Sequence, residues 1–482
     1  MPSALRGRQS ITFAVLAIAV SSFALLQSLI VPVLARIQLE YHTDQTTVTW
    51  VLTAYLLSAS ICTPLLGRVG DVVGKKRMLV ITLGALTLGS LAAALAPNIG
   101  WLIAARVLQG AGGGVLPLSF GIIRDEFKDK VTGALSVIAS LTAVGFGVGI
   151  VIAGPIVDGL GYHWLFWLPM ITTILAAVAA FLFVPESPVR TPGRLPVTPA
   201  VLLSVWLIAL LLALSEGNQW GWASPRILGL FVVAALVALA WVQVEKRVPV
   251  PLIDMKMMRL RGIWTTNVVA GFVGFGMFAS FGFLPQFLQT PKSAGYGFGA
   301  SISESGNLLL PSAIASFLVG FSTARLIGAV GARAVIVVGT LSTAVAFVSL
   351  ALFHDQTWQL YAATTVQGIG SGLVFSSLAG VVIASVPPEQ TGVASGMNAN
   401  IRTIGGSIGS AVMAGVVTAR VSATGIPVEG GYTVGFILLA VGMALAAVAA
   451  AFIPDLHTQA TDGPLRDAEN AELSFVPAAP TS

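Results

Sequence analysis

Gly67-Arg68-Val69-Gly70-Asp71-Val72-Val73-Gly74-Lys75-Lys76-Arg77 stands between two apolar runs, 46–66 and 78–96, neither of which contains a charged residue. Runs of about 20 apolar residues are long enough to span a bilayer core of about 30 Å. The segment between them therefore reads as a turn between two membrane helices. Its glycines permit a tight turn between closely packed helix ends. Asp71 can cap or pair across to a neighbouring helix, while Lys75, Lys76 and Arg77 hold the turn at one membrane face.

The rest of the chain agrees with this reading. Of its 482 residues, 56% are hydrophobic and 9% charged, against roughly 25% charged in a soluble domain. Apolar runs bounded by charge, Gly or Pro predict fourteen spanning helices: 11–35, 46–66, 78–96, 99–122, 131–155, 162–184, 199–215, 226–244, 262–288, 303–326, 334–353, 358–383, 391–418 and 432–453. The first of them is too long for the apolar core of a secretory signal and is expected to be retained. An even count puts both termini on one side. With the N-terminus in the cytoplasm, 19 of the 25 Lys and Arg residues fall on the cytoplasmic side, as the positive-inside rule requires. Trp101, Trp164, Trp167, Trp220, Trp222 and Trp358 then cluster at the outer interface. This excess of basic residues is a matter of topology and gives no reason to expect nucleic acid. Residues 454–482 are polar and Pro-rich and are expected to form a disordered cytoplasmic tail.

A weaker copy of the opening segment occurs at Ala324-Arg325-Leu326-Ile327-Gly328-Ala329-Val330-Gly331-Ala332-Arg333, with Gly328 where the acid would stand. The repeat predicts a duplicated six-helix unit. We therefore divide the chain into a bundle at 1–190, two linking helices and a loop at 191–261, and a second bundle at 262–453.

The first segment resembles the signature G-x-L-x-D-R-x-G-R-K of the major facilitator superfamily. Arg106, Gln109, Gly110, Gly112, Gly113 and Gly114 resemble its second signature, R-x-x-Q-G-x-G-G. Gly149, Gly154, Pro155 and Gly159 resemble the G-P pattern of its exporters. With fourteen helices, the whole chain is similar to the fourteen-spanner drug:proton antiporters. The resemblance implies an all-α integral membrane protein of the bacterial cytoplasmic (inner) membrane, with six, two and six helices and cytoplasmic termini. It further implies export of drugs, antibiotics or toxic metabolites by proton antiport and alternating access.

The resemblance also implies roles for particular residues. Gly67, Asp71, Gly74, Lys75 and Arg77 form a conformational latch; reading the basic residues as topological anchors alone covers Lys75 and Lys76 but not Asp71 with its glycine spacing. Arg106 is expected to face the central cavity with Gln109, because an arginine within a membrane helix is costly unless it faces a cavity or a partner. Pro155 is expected to kink its helix. Pro387–Asn398 with Arg402 resembles the family's helix 13 region, and Arg402 is expected to pair structurally or snorkel. The family's helix 1 aspartate aligns with Leu26, beside neutral Gln27, which displaces the usual proton site. Of the remaining acids, Asp158 is the candidate for proton exchange, while Glu216 and Glu304 are expected to be solvated near the outer face.

Other classes fare poorly. His42, His163, His354 and His457 lack metal-ligand spacing, Cys62 is the only cysteine, and no nucleophile and base constellation marks an enzyme. No phosphate-cradling Gly-x-x-x-x-Gly-Lys-Ser/Thr occurs, so no nucleotide or other cofactor is expected. The expected partners are a small organic substrate, protons and the lipid bilayer. A specific metabolite exporter without proton coupling is the alternative, and a non-transporting receptor is a distant third.

Overall fold

The computed structural model describes residues 2–43, 45–127, 131–187, 196–249, 251–420, 422 and 426–454. The predicted tail, 454–482, lies outside the described residues apart from Pro454. The helices are α1 (Pro2–Ser28), a short α2 (Leu34–Glu40), α3 (Gln45–Val73), α4 (Lys75–Ala94), α5 (Ile99–Gln109), α6 (Val115–Glu126), α7 (Val131–Leu160), α8 (Trp164–Phe183), α9 (Val197–Trp220), α10 (Pro225–Arg247), a short α11 (Met255–Met258), α12 (Arg261–Gln289), α13 (Ile302–Leu352), α14 (Thr357–Ala384), α15 (Thr391–Thr418) and α16 (Glu429–Ala450). Among the described residues, thirteen helical stretches are long and apolar enough to cross a membrane. One of these, α13, has 51 residues and is two helices joined at Gly331.

The predicted turns are far shorter than their sequences suggested. α3 continues through Val73, so the expected loop 67–77 contracts to Gly74, at φ 126° and ψ 128°. In the second copy the helix is broken only at Gly331, at φ 84° and ψ 153°. These are backbone conformations that glycine adopts freely and side-chain-bearing residues avoid. The repeat thus places one glycine of the same kind at the same point of each copy. Residues flanking it need no loop, because in lipid a backbone bonded within a helix is cheaper than an open one.

Two predicted helices are subdivided. The first ends at Ser28 and is followed by a 3-10 turn over Val31–Val33, where Pro32 supplies no N–H. The fourth is α5 and α6 with a 3-10 turn at Gly110–Gly114 between them. That turn presses on α3: a Cβ on Gly113 would lie 2.9 Å from the Ala59 carbonyl oxygen, and one on Gly114 would lie 2.8 Å from Leu66 Cβ.

Apolar cores form on both sides of the molecule. One draws on α1, α3, α4, α6, α7 and α8. The other draws mainly on α12, α13, α14, α15 and α16. α9 and α10 pack on each other, and a smaller core ties them to α12 and α15 through Leu203, Trp241, Ile263 and Val393. The start of α1 and the end of α16 lie at one end of the molecule, linked by contacts. Gln9 Nε2 donates to the Glu126 carbonyl at the end of α6, Arg124 bonds Thr391 at the start of α15, and Arg261 Nε donates to the Phe452 carbonyl. Trp101, Trp164, Trp220, Trp222 and Trp358 are exposed at the opposite end, where an indole is suited to an interface.

Helices α12 and α15 meet backbone to backbone. A Cβ on Gly405 would overlap the Gly271 carbonyl, and one on Gly409 would overlap that of Phe275. Small residues let membrane helices approach this closely. Gly405→Val is therefore expected to destabilise the protein by about 1–3 kcal/mol through overpacking, seen as a lower thermal midpoint in detergent. An unchanged midpoint would refute this reading of the contact.

Candidate functional site

The end that carries Gly74 is where α3 and α15 close on each other. A Cβ on Gly67 would lie 2.6 Å from the Gly392 carbonyl oxygen, and one on Gly396 would lie 2.9 Å from Pro64 Cα. Gly392 sits in the first turn of α15, and a Cβ there would meet the two Asp71 carboxylate oxygens at 2.9 and 3.0 Å. Asp71, 1% exposed, thus lies against a helix N-terminus, whose unpaired N–H groups favour a negative charge. Arg124 Nη1 bridges to Thr391 Oγ1 at 2.7 Å across the same seam.

Behind the seam, Lys75 Nζ pairs with Asp125 Oδ2 at 2.8 Å, with both side chains almost wholly buried. Ser187 Oγ also donates to Asp125. Lys75 is therefore no surface anchor. It ties the start of α4 to the end of α6, beside the Arg124 bridge. Arg77 makes a looser, exposed pair with Glu186 at 3.5 Å, and a Cβ on Gly74 would lie 2.6 Å from Glu186 Oε1. Lys76 lies over the Phe181 ring. Gly67, Asp71, Gly74, Lys75 and Arg77 are thus brought together, with Arg124, Asp125, Glu186 and the first turn of α15 as partners that the motif did not reveal.

Arg106 is completely buried, but it takes no part in the wall of the central cavity described below. Its Nε donates to the Val51 carbonyl at 3.1 Å and its Nη1 to Gln109 Oε1 at 2.6 Å, while Nη2 is left without a partner. The guanidinium lies 4.2 Å from the centre of the Tyr55 ring, a cation–π arrangement. Gln109 Nε2 passes the chain on to Ser90 Oγ at 3.0 Å. Arg106 and Gln109 thereby join α3, α4 and α5. The spacing i, i+3 puts both on one helix face, and that face looks into the α3–α4 contact.

The cavity lies between the two cores. Phe23, Gln27, Ala59, Thr142 and Phe146 form one side, and Met277, Phe278, Phe281, Phe375, Arg402 and Thr403 the other. Phe146 stacks on Phe281 at 4.8 Å and meets Phe278 edge-on at 5.9 Å. A smaller lobe towards Asn398 and Ser395 is also lined by Arg402. The main lobe's free volume is about 70 Å³. Drug-sized ligands need sites of about 300–1,000 Å³, so admitting one requires the two walls to part.

Arg402 was expected to pair structurally, yet it makes no hydrogen bond or ion pair to a described residue. Its guanidinium lies 4.7 Å from the centre of the Phe375 ring. Gln27 lines the cavity, and Leu26 is buried away from it. The phenylalanines could not have been picked out in advance, because they look like ordinary helix surface in sequence. Arg402 could have been, by the same reasoning that singled out Arg106.

The glycines of the exporter motif place α7 between α1 and α13. A Cβ on Gly145 would lie 2.8 Å from Ala24 Cβ, and one on Gly149 would overlap Ser28 Oγ. On the other face, a Cβ on Gly147 would lie 2.6 Å from Ala313 Cβ, and one on Gly154 would lie 2.7 Å from Ser303 N. α7 stays helical through Pro155. Packing from both sides holds the helix where one hydrogen bond is missing. Pro155 and Gly159 are exposed, and nothing lies near Gly159.

Asp158 is exposed at the end of α7 and accepts a bond from Ser303 Oγ at 3.2 Å, outside the cavity. Glu304 is exposed, as expected, in a capping box with Ser301. Glu216 departs from expectation: it is 1% exposed and its Oε2 has no partner.

The family described as Major Facilitator Superfamily matches residues 16–293 and 266–479. The chain is 30% identical over 380 residues to the multidrug transporter protein MdtP of Bacillus subtilis (strain 168), covering 77% of this chain and 69% of that one. It is 28% identical over 391 residues to a multidrug resistance protein B homolog of Mycobacterium tuberculosis (strain ATCC 25618 / H37Rv), covering 79% and 71%. To the tetracenomycin C resistance and export protein of Streptomyces glaucescens it is 26% identical over 425 residues, covering 87% and 78%. Among solved structures, the human organic anion transporter MFSD10 (TETRAN) shares the fold with a TM-score of 0.66 at 16% identity, over 92% of this chain and 99% of that one. With family matches running from helix 1 to beyond the last helix and an interior built as two walls around a cavity, the chain belongs to the Major Facilitator Superfamily and is a multi-pass transporter, not an enzyme, of the bacterial inner membrane.

Proposed function

We propose that this transporter exports small organic compounds of the drug and antibiotic class, by alternating access, in exchange for protons. The aromatic cavity between the α1, α3, α7 wall and the α12, α14, α15 wall carries this reading, together with the α3–α15 seam that shuts one end of it. The relatives named for multidrug resistance and antibiotic export supply the substrate class. In this reading the moving bodies are the bundles at 1–190 and 262–453, with 191–261 as the linking pair of helices.

The membrane is crossed fourteen times, because α13 at 1.5 Å per residue measures about 77 Å, more than twice a bilayer core, and turns at Gly331. The basic end, with Lys75, Lys76, Arg77, Arg124 and Arg261, faces the cytoplasm. Proton exchange needs a carboxylate shielded from bulk water. We assign it to Glu216, which is buried with a free oxygen, instead of to Asp158.

Expression in an efflux-deficient bacterial host is expected to raise resistance to members of a toxic-compound panel; equal sensitivity to all of them would count against export. In everted vesicles, adding an exported compound is expected to dissipate an imposed pH gradient, and Glu216→Gln to abolish this while Asp158→Asn preserves it. A second reading, export without proton coupling, is favoured by one observation: no carboxylate lines the cavity. Resistance with no response of the pH gradient would select it.

A further inference from the structure

Three cations are buried among the described residues, and each has a partner or a counter-charge: Arg68 lies near Asp71 and Glu245. Lys75 has Asp125, and Arg106 has Val51, Gln109 and Tyr55. Arg402 differs: it lines both lobes of the central cavity and has only the face of Phe375. No Asp, Glu or Lys lines either lobe. Gln27, on the opposite wall, likewise makes no hydrogen bond to a described residue.

Resting on the exporter reading, we propose that the cavity selects organic anions: aromatic compounds bearing a carboxylate, phenolate or sulfonate. A guanidinium is charged at physiological pH, and its planar fork of donors matches a carboxylate bidentately. Within a membrane span, even a partly exposed charge without a counter-ion is costly, and a bound anion supplies what the protein withholds. A cation would meet like charge with nothing to offset it. Phe146, Phe278 and Phe281 offer ring faces and edges for the aromatic body, while the amide of Gln27 is available to a polar substituent.

Fluorescein and rhodamine 123 share a xanthene core and carry opposite charge. Their binding to the purified full-length chain in zwitterionic nanodiscs, followed by fluorescence anisotropy, tests the inference. Wild type is expected to bind fluorescein at least about tenfold more tightly, a difference of 1.4 kcal/mol. Arg402→Gln is expected to erase that preference and Arg402→Lys to keep most of it. The preference is also expected to weaken little with added salt, because the site is screened from solvent.

Rhodamine 123 binding as tightly as fluorescein overturns the inference, as does an unchanged preference in Arg402→Gln. Should Arg402→Gln fail to fold, the ratio of the two dyes in wild type still decides. Efflux of rhodamine 123 from cells, unaffected by Arg402→Gln, would reject anion selection while leaving the exporter reading intact. Neither dye binding, with no resistance to any compound, would remove both.

Discussion

Lys75→Ala is expected to destabilise the protein by about 3–5 kcal/mol, the usual cost of stranding one member of a buried ion pair. The relevant numbers are the 1% and 2% exposures of Lys75 and Asp125. Solvent cannot screen the carboxylate once its partner is gone, and Ser187 Oγ offers only a neutral donor in exchange. Asp71 loses a neighbouring positive charge at the same time. The thermal midpoint in detergent should fall, and transport should fall with it, because the end of α6 that carries Arg124 is no longer held to α4.

The paired variant Lys75→Met with Asp125→Leu separates the causes. Replacing both members by apolar side chains of similar size removes the desolvation cost along with the attraction, so most of the lost stability should return. If the double variant is as unstable as Lys75→Ala, the ion pair is not what Lys75 contributes.

Arg106→Ala is expected to lower the maximum transport rate roughly ten- to a hundredfold and leave the half-saturating substrate concentration unchanged. Hydrogen bonds to a charged group are worth about 1.5–3 kcal/mol each, and tenfold corresponds to 1.4 kcal/mol. The variant leaves Gln109 Oε1 and the Val51 carbonyl without their donor, in a contact that ties three helices of one wall. Because Arg106 is not on the cavity wall, substrate affinity should be spared. A large rise in half-saturation with the rate preserved would return Arg106 to the substrate site and contradict the geometry. Arg402→Gln should show the opposite pattern, acting on affinity.

Much of the architecture was legible because membrane helices write themselves as uncharged runs of sufficient length. The turn lengths were not. The segments around Gly74 and Gly331 looked like loops because they are charged or glycine-rich, yet each helix continues until one glycine with positive φ breaks it. Composition reports exposure to headgroups, and Lys75 shows that it does not report even that reliably, since its partner Asp125 lies 50 residues away in sequence.

The site was half legible. Both intramembrane arginines were visible as anomalies, but which one faces the cavity depends on helix rotation, and no single sequence fixes that. Leu26 and Gln27 pose the same problem at one residue's resolution: Gln27 reaches the cavity and Leu26 does not. Glu216 was placed in solvent because it lies near a predicted helix end. Its neighbours in α9, Ser215 and Asn218, meet Thr53 and Ala411 on helices distant in the chain.

The unneutralised Arg402 also has an electrical consequence. Counting only Arg402 and its ligand, and leaving aside the charge of any coupled carboxylate, a carrier whose empty binding site bears one positive charge, and whose site loaded with a monoanion bears none, responds to voltage on only one half of its cycle. Moving one elementary charge through the full field is worth about 2.3 kcal/mol per 100 mV. With the cell interior negative, the outward passage of the loaded site would be indifferent to the potential. The return of the vacant site would be drawn inward, so that the resting voltage itself resets the carrier.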